Sequence, residues 1–308
     1  MQKNNLQSSL LLTTCFFTCS ILSTQVSASH GQDNESFKTF VDWCENKDNL
    51  RKAIRHTVEQ LLVEAKTSNC KLAEEQLSNK TSAIYLNKKG ISNLLPLKSL
   101  PHLTSLDLDN NQINDLTPLQ SLIHLDSLDL SNNQITTLYS LGYLTKLRVI
   151  ALENNKINDI SSLGTLTRLE SVNLGKNRIS DITALSSLIK LIELRLTSNQ
   201  IVDIKPLEKL TKITTLGISD NRIADISPLK NMKDLFRLSA MKNQISDVTP
   251  LKGLTNLYYL FLQDNKITNI MPLQPLKNLL TASFRRNPII NKVCPVPDPV
   301  NDLPICSF

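Results

Sequence analysis

Apolar residues return along most of this chain at a fixed interval of 22. The stretch LTSLDLDNNQINDLTPLQSLIH (103–124) runs without insertion into LDSLDLSNNQITTLYSLGYLTK (125–146). Counting Leu103 as position 1, apolar side chains hold positions 1, 4, 6, 11, 14, 17 and 20, and asparagine holds position 9. That asparagine recurs as Asn111, Asn133, Asn155, Asn177, Asn199, Asn221, Asn243, Asn265 and Asn287. One period earlier, residues 81–102 keep Ile84, Leu86, Ile91, Leu94, Leu97 and Leu100 but carry Lys89 in place of asparagine. A final unit opens at Leu279 and loses the pattern after Pro288. An unbroken period of this length marks a stack of identical supersecondary units.

The spacing predicts the unit. Positions 4 and 6 point one way and 3, 5 and 7 the other, which is strand alternation. Asparagine at position 9 ends the strand, and its amide can bond backbone groups of adjacent turns in a continuous ladder. Positions 12–17 read as a short turn or 3₁₀ segment. Aspartate recurs at position 13 (Asp115, Asp159, Asp181, Asp203, Asp225, Asp247) and proline at position 16 (Pro118, Pro206, Pro228, Pro250, Pro272). Stacked carboxylates suggest a metal site, but acceptors for the N–H groups opening each turn are the simpler reading.

The pattern L-x-x-L-x-L-x-x-N-x-I-x-D-I-x-P-L-x-x-L resembles the leucine-rich repeat of the 22-residue class, shared by internalins of bacterial surfaces and a eukaryotic phosphatase-regulating subunit. It covers residues 81 to about 290. The resemblance implies an α/β repeat solenoid: a leucine-rich-repeat horseshoe with a concave parallel β-sheet, a 3₁₀ and turn convex side, a helical N-terminal cap and a short C-terminal cap. It implies much less about function, because such solenoids serve many partners.

Outside the repeats, residues 1–28 read as a secretory signal: Lys3 is the sole charge, an uncharged run follows, and Val26-Ser27-Ala28 offers small residues for cleavage. Lipidation at Cys15 or Cys19 is the alternative, although Thr14 and Thr18 precede them. Residues 29–80 read as a helical cap. Ser36 is the expected start of a turn with Phe37, Phe40, Val41, Trp43 and Cys44. Asn49 starts a helix with Ile54, Val58, Leu61, Leu62 and Ala65 on one face, and Asn69 a third with Leu72, Ala73 and Leu77. The solenoid then occupies 81–287 and a proline-rich cap 288–308. No segment after the leader is long enough to span a membrane.

Removal of the leader leaves Cys44, Cys70, Cys294 and Cys306. Ten stacked strands separate the ends by roughly 45 Å, whereas a disulfide needs Cα atoms within about 7 Å. Cross-cap bonds are thereby excluded, and Cys44–Cys70 and Cys294–Cys306 remain as staples. Sequons at Asn34 and Asn79 matter only in a host that glycosylates.

Composition sharpens the picture mainly by exclusion. Seven glycines in 308 residues include no phosphate loop, and a net charge of +6 does not by itself indicate nucleic acid. With 8 Phe, 5 Tyr and 1 Trp, the core must be aliphatic. Histidines are few; His102 and His124 share position 22, one turn apart, followed by Lys146, Arg168, Lys190 and Lys212, which reads as a solvated basic edge. No nucleophile stands in catalytic company, so no cofactor, metal or enzymatic activity is expected.

Outward positions 3, 5, 7 and 8 are free of the core requirement. Early repeats place Asp107, Asp109, Asp129 and Glu153 there; later ones place Arg195, Arg237, Met241, Lys242, Tyr259, Phe261, Arg285 and Arg286. Exposed Tyr, Phe, Met and Arg side by side are what interface centres favour. The expected partner-binding set is Arg195, Arg237, Met241, Tyr259, Phe261 and Arg285, with Asp107 and Asp129 orienting the partner by charge. The sequence thus reads as an exported, non-catalytic, monomeric scaffold, secreted, periplasmic or at the cell surface, that binds a macromolecule through its concave face. A protein partner is expected. The alternatives are an intracellular regulator of the phosphatase-subunit type, which the leader and cysteines oppose, and an extracellular glycan binder whose aromatics stack on sugars. No immunoglobulin-like domain follows the repeats in this sequence, so host-cell invasion does not carry over from the internalins.

Overall fold

Each 22-residue unit turns its aliphatic side chains toward one continuous core. In the computed structural model, which describes residues 36–79, 82–294 and 306–308, the leucines and isoleucines at positions 1, 4, 6, 11, 14, 17 and 20 are sealed from solvent along the whole stack. The described residues belong to one unit, Gly31–Phe308. The leader, Asn34, the Asn79 side chain and residues 295–305 lie outside the described residues.

Positions 3–5 of the units form ten parallel strands: β1 Ala83–Tyr85, β2 Ser105–Asp107, β3 Ser127–Asp129, β4 Val149–Ala151, β5 Ser171–Asn173, β6 Glu193–Arg195, β7 Thr215–Gly217, β8 Arg237–Ser239, β9 Tyr259–Phe261 and β10 Thr281–Ser283. Each pairs with the next in strict 22-residue register, as in Leu106 opposite Leu128. The convex side carries short 3₁₀ segments such as Thr117–Ser121 and Ser227–Asn231, with proline in the first turn where its missing N–H is not needed.

Three polar devices hold the turns together. Each ladder asparagine bridges three stretches of backbone. The Asn133 amide donates to the carbonyls of Leu108 and Leu130 at 3.0 and 3.1 Å, while its oxygen accepts from Ile113 N–H at 2.9 Å. Buried backbone groups that the short strands leave unpaired are satisfied in this way. The position-13 aspartates each accept the N–H two residues on, as Asp115 does from Thr117 at 2.9 Å and Asp225 from Ser227 at 2.7 Å. Among the described residues no cluster of His, Cys, Asp or Glu could hold a metal.

The third device corrects an expectation. Position 8 is not an outward strand position: Lys88, Asn110, Asn132, Asn154, Lys176, Ser198, Asp220, Lys242, Asp264 and Arg286 all adopt left-handed backbone with φ of 51–58°. The strand ends at position 5, and the chain needs a tight reversal before asparagine can point inward. Sequence alternation cannot show that reversal because no glycine marks it.

The N-terminal cap consists of α1 Phe40–Glu45, α2 Lys52–Glu64 and α3 Cys70–Asn79. Thr39, not Ser36, caps α1. Its hydroxyl accepts from Asp42 N–H at 3.1 Å and the Asp42 carboxylate accepts from Thr39 N–H at 2.9 Å, a reciprocal box that holds the Asp42 carboxyl below its usual pKa. Asn49 falls in a 3₁₀ turn and α2 begins three residues later. Asn69 accepts from Leu72 N–H at 3.0 Å, and Leu72 itself faces solvent. At Lys89, where the ladder asparagine is missing, α2 takes over: His56 Nε2 lies 2.6 Å from the Lys89 carbonyl and Thr57 donates to the Asn93 carbonyl at 2.6 Å. Cys44 and Cys70 are joined, tying α1 to α3.

At the other end the tail returns to the sheet. Cys306–Ser307 form an eleventh parallel strand, β11, against β10, held by the Cys294–Cys306 bond. Phe284 N–H donates to the Ser307 carbonyl at 2.7 Å and the Phe284 and Phe308 rings stack with centroids 6.0 Å apart. The open edge of β10 is therefore covered.

Candidate concave-face site

Positions 3, 5 and 7 line the open face of the sheet because 4 and 6 are turned into the core. At its N-terminal end Asp107 and Asp129 sit directly opposite each other on β2 and β3. Their carboxylates accept from the N–H groups of Asp109 at 3.0 Å and Ser131 at 2.8 Å. Burial raises the Asp107 pKa, and the charges of Asp129 and Asp109 push the same way against the Asp109 N–H.

The middle of the face is internally neutralised. Glu153 meets Lys176 at 2.9 Å and accepts from Asn173 at 3.0 Å, so its carboxyl is held below the ordinary value by Lys176 first and Asn173 second. Arg195 is exposed, but its guanidinium lies 2.5 Å from Glu193 on the same strand.

The C-terminal end is aromatic and basic. The Arg237 guanidinium carbon stands 4.5 Å from the centroid of the Tyr259 ring. Phe236 meets Tyr259 edge-on at 5.4 Å and stacks on Tyr258 at 4.7 Å with the rings inclined by 29°. Met241 and Phe261 are half-buried and Arg285 is exposed. Arg286 forks onto Asp264 and lowers its pKa. Gln263 Oε1 is buried without a hydrogen-bond partner among the described residues.

The structure therefore brings Arg237 together with Tyr259, with Phe261 beside them, and Asp107 with Asp129. It keeps the two groups apart: five strand steps lie between β3 and β8, roughly 24 Å. Arg195 lies between them on β6. Lys242 and Arg286, expected on the open face, occupy the left-handed turns instead. Phe236 and Tyr258 were not among the expected residues because position 2 precedes the strand. Their spacing of one period was the signal that places them in contact.

The fold and this face define a leucine-rich-repeat scaffold with an open concave surface. Family models for leucine-rich repeats match residues 101–157, 145–187 and 189–231. Among solved structures, internalin C2 of Listeria monocytogenes is 30% identical, over 72% of this chain and 88% of that one, with a TM-score of 0.56. An internalin, InlF, from the same species is 28% identical over 75% and 82%, with a TM-score of 0.51. A Leptospira interrogans leucine-rich-repeat protein is 26% identical over 68% and 56%, with a TM-score of 0.65. The chain belongs to the internalin-like leucine-rich-repeat family. No significant match occurs among curated proteins. Among the described residues no helix is long and apolar enough to cross a membrane.

Proposed function

We propose that this protein is an exported binding scaffold that presents the concave sheet to a protein partner. Arg237, Tyr259 and Phe261 form the anchor, supported by Met241 and Arg285, and Asp107 and Asp129 set orientation by charge. The observation that carries this reading is the Arg237–Tyr259–Phe236–Tyr258 cluster: four large side chains, each partly open to solvent, in a protein whose core uses almost no rings. Clusters of this composition are where binding energy concentrates. Two disulfides support an oxidising compartment, and with it cleavage of the leader near Ala28.

The experiment is capture from cell-surface extracts by the mature chain, followed by affinity measurement with a Tyr259→Ala/Phe261→Ala variant. Affinity should drop by at least about tenfold while the urea midpoint stays near wild type. Unchanged affinity in the folded variant would remove this face as the binding site.

A further inference from the structure

One flank of the solenoid carries a second surface that the concave-face reading does not use. At position 22 of successive units stand His102, His124, Lys146, Arg168, Lys190 and Lys212, and the column stops at Asp234. The register of the sheet spaces these side chains by one strand step, about 4.8 Å. Lys146 meets His124 at 2.9 Å, whereas Arg168, Lys190 and Lys212 are exposed and form no ion pair among the described residues. The neighbouring acids at position 2 are engaged by Arg148, which forks onto Glu170 at 3.1 and 2.8 Å and approaches Asp126 at 3.9 Å. Glu170 also feels the charges of Arg168 and Lys190, yet with the two acids shared among Arg148 and the file the flank keeps an excess of cations. At its start lies a shallow cleft of about 560 Å³ whose lining includes His102, Thr104, His124, Asp126, Lys146 and Arg168.

We propose that this flank binds a linear polysaccharide bearing sulfate or carboxylate groups along its length. Cations in single file at a constant spacing match anions repeated along one extended polymer, and their summed field favours a polyanion over an isolated ion. Ile123, Ile189 and Ile192 stand exposed beside the file and give the C–H faces of sugar rings an aliphatic ledge. No aromatic side chain from Phe, Tyr or Trp occupies positions 21, 22 or 2 between residues 101 and 214, so the stacking platforms that single-stranded nucleic acid uses are missing beside the file itself, and Phe236 and Tyr258 follow only after the cations have given way to Asp234. A single file also offers a planar anionic membrane only a line of contact.

A fluorescein-labelled heparin octasaccharide is the probe, titrated against the full chain over a range of salt concentrations. Arg168→Gln/Lys190→Gln/Lys212→Gln should weaken binding by about tenfold or more and reduce the slope of log K against log salt by roughly 2–3, since each paired cation releases counterions. Lys252→Gln/Lys266→Gln/Lys277→Gln removes the same charge elsewhere and should leave affinity within about twofold, which separates a site from net charge. Both variants alter exposed side chains only, so equal urea midpoints are expected. Equal binding by wild type and flank variant would overturn the proposal, as would an equal loss in the control variant. Tighter binding of single-stranded DNA or phosphatidylglycerol vesicles than of the octasaccharide would also overturn it.

Discussion

Arg237 and Tyr259 are directly paired across β8 and β9, with the guanidinium carbon 4.5 Å from the centre of the ring. The 22-residue register puts the two side chains on one face, and the electron-rich ring face attracts the cation. The ring is thereby held in place before any partner arrives. A double-mutant cycle with Arg237→Gln and Tyr259→Leu, followed by urea unfolding, should give a coupling of about 0.5–1 kcal/mol, the value for an exposed cation over a ring. Strict additivity would show that the pair is juxtaposed without energetic coupling.

The asparagine ladder should be strongest in its middle. Asn155→Ala leaves the buried Ile135 N–H without its side-chain acceptor, and the Leu130 and Leu152 carbonyls each lose one of two donors, keeping Asn133 and Asn177 respectively. With one buried donor orphaned and two carbonyls weakened, the loss should be about 2 kcal/mol. Asn287, at the more open C-terminal end, should cost less on the same substitution. Denaturant midpoints of the two variants decide the matter, and the reverse order would refute a ladder limited by burial.

Asp107 is the acid whose pKa folding raises, through burial first and the neighbouring Asp129 and Asp109 charges after. The folded state therefore holds this proton more tightly than the unfolded chain does. Stability from the residue is present at acid pH and is lost as pH rises from the ordinary carboxylate range through the raised folded value. Asp107→Asn should stabilise the protein at pH 7 by roughly 0.5–1 kcal/mol, the scale of like charges paired across a sheet. The gain should vanish near pH 3. Glu153 and Asp247 behave oppositely: their pKa values are lowered, so their contribution is present at neutral pH and lost on acidification. Thermal melts of both proteins across this range would show the difference, and a gain that persists at pH 3 would exclude the electrostatic cause.

Left-handed backbone at position 8 suits asparagine far better than lysine. Lys242, at φ 51°, should be improved by substitution with Asn, with a gain of about 0.5–1 kcal/mol. Asn132→Lys should lose a similar amount, together with the bond its amide makes to Asp109 at 2.8 Å. Equilibrium unfolding of the two variants measures both effects, and a shift of the same sign in both would contradict the backbone argument.

The Cys294–Cys306 bond closes a short loop with a sequence separation of 12. Cys294→Ser/Cys306→Ser should destabilise the C-terminal end by about 3 kcal/mol and release β11 from β10. Amide exchange at Phe284, whose N–H bonds Ser307, should then accelerate while exchange at Leu194 in the middle of the sheet is unchanged. Uniform acceleration across the sheet would mean that the stack unfolds as one body rather than from its end.

The sequence by itself determined the period, the identity of the core positions and the parallel sheet with its turn-rich convex side. Each of these is a local rule copied ten times, so a residue's neighbours lie 22 positions away. Phe236 against Tyr258 obeyed the same rule and was legible in principle, had position 2 been weighed with the strand. Only the tertiary structure decided what does not repeat. That α2 replaces the missing asparagine at Lys89, and that the tail folds back to pair Ser307 with Ser283, depends on contacts made once each. The left-handed turn at position 8 was hidden for a different reason: steric demands at that point act on backbone angles, and lysine, serine and arginine were accepted where glycine would have announced them. Likewise the neutralisation of Arg195 by Glu193 and the openness of Arg237 reflect side-chain choices on a shared face, which periodicity places but does not pair.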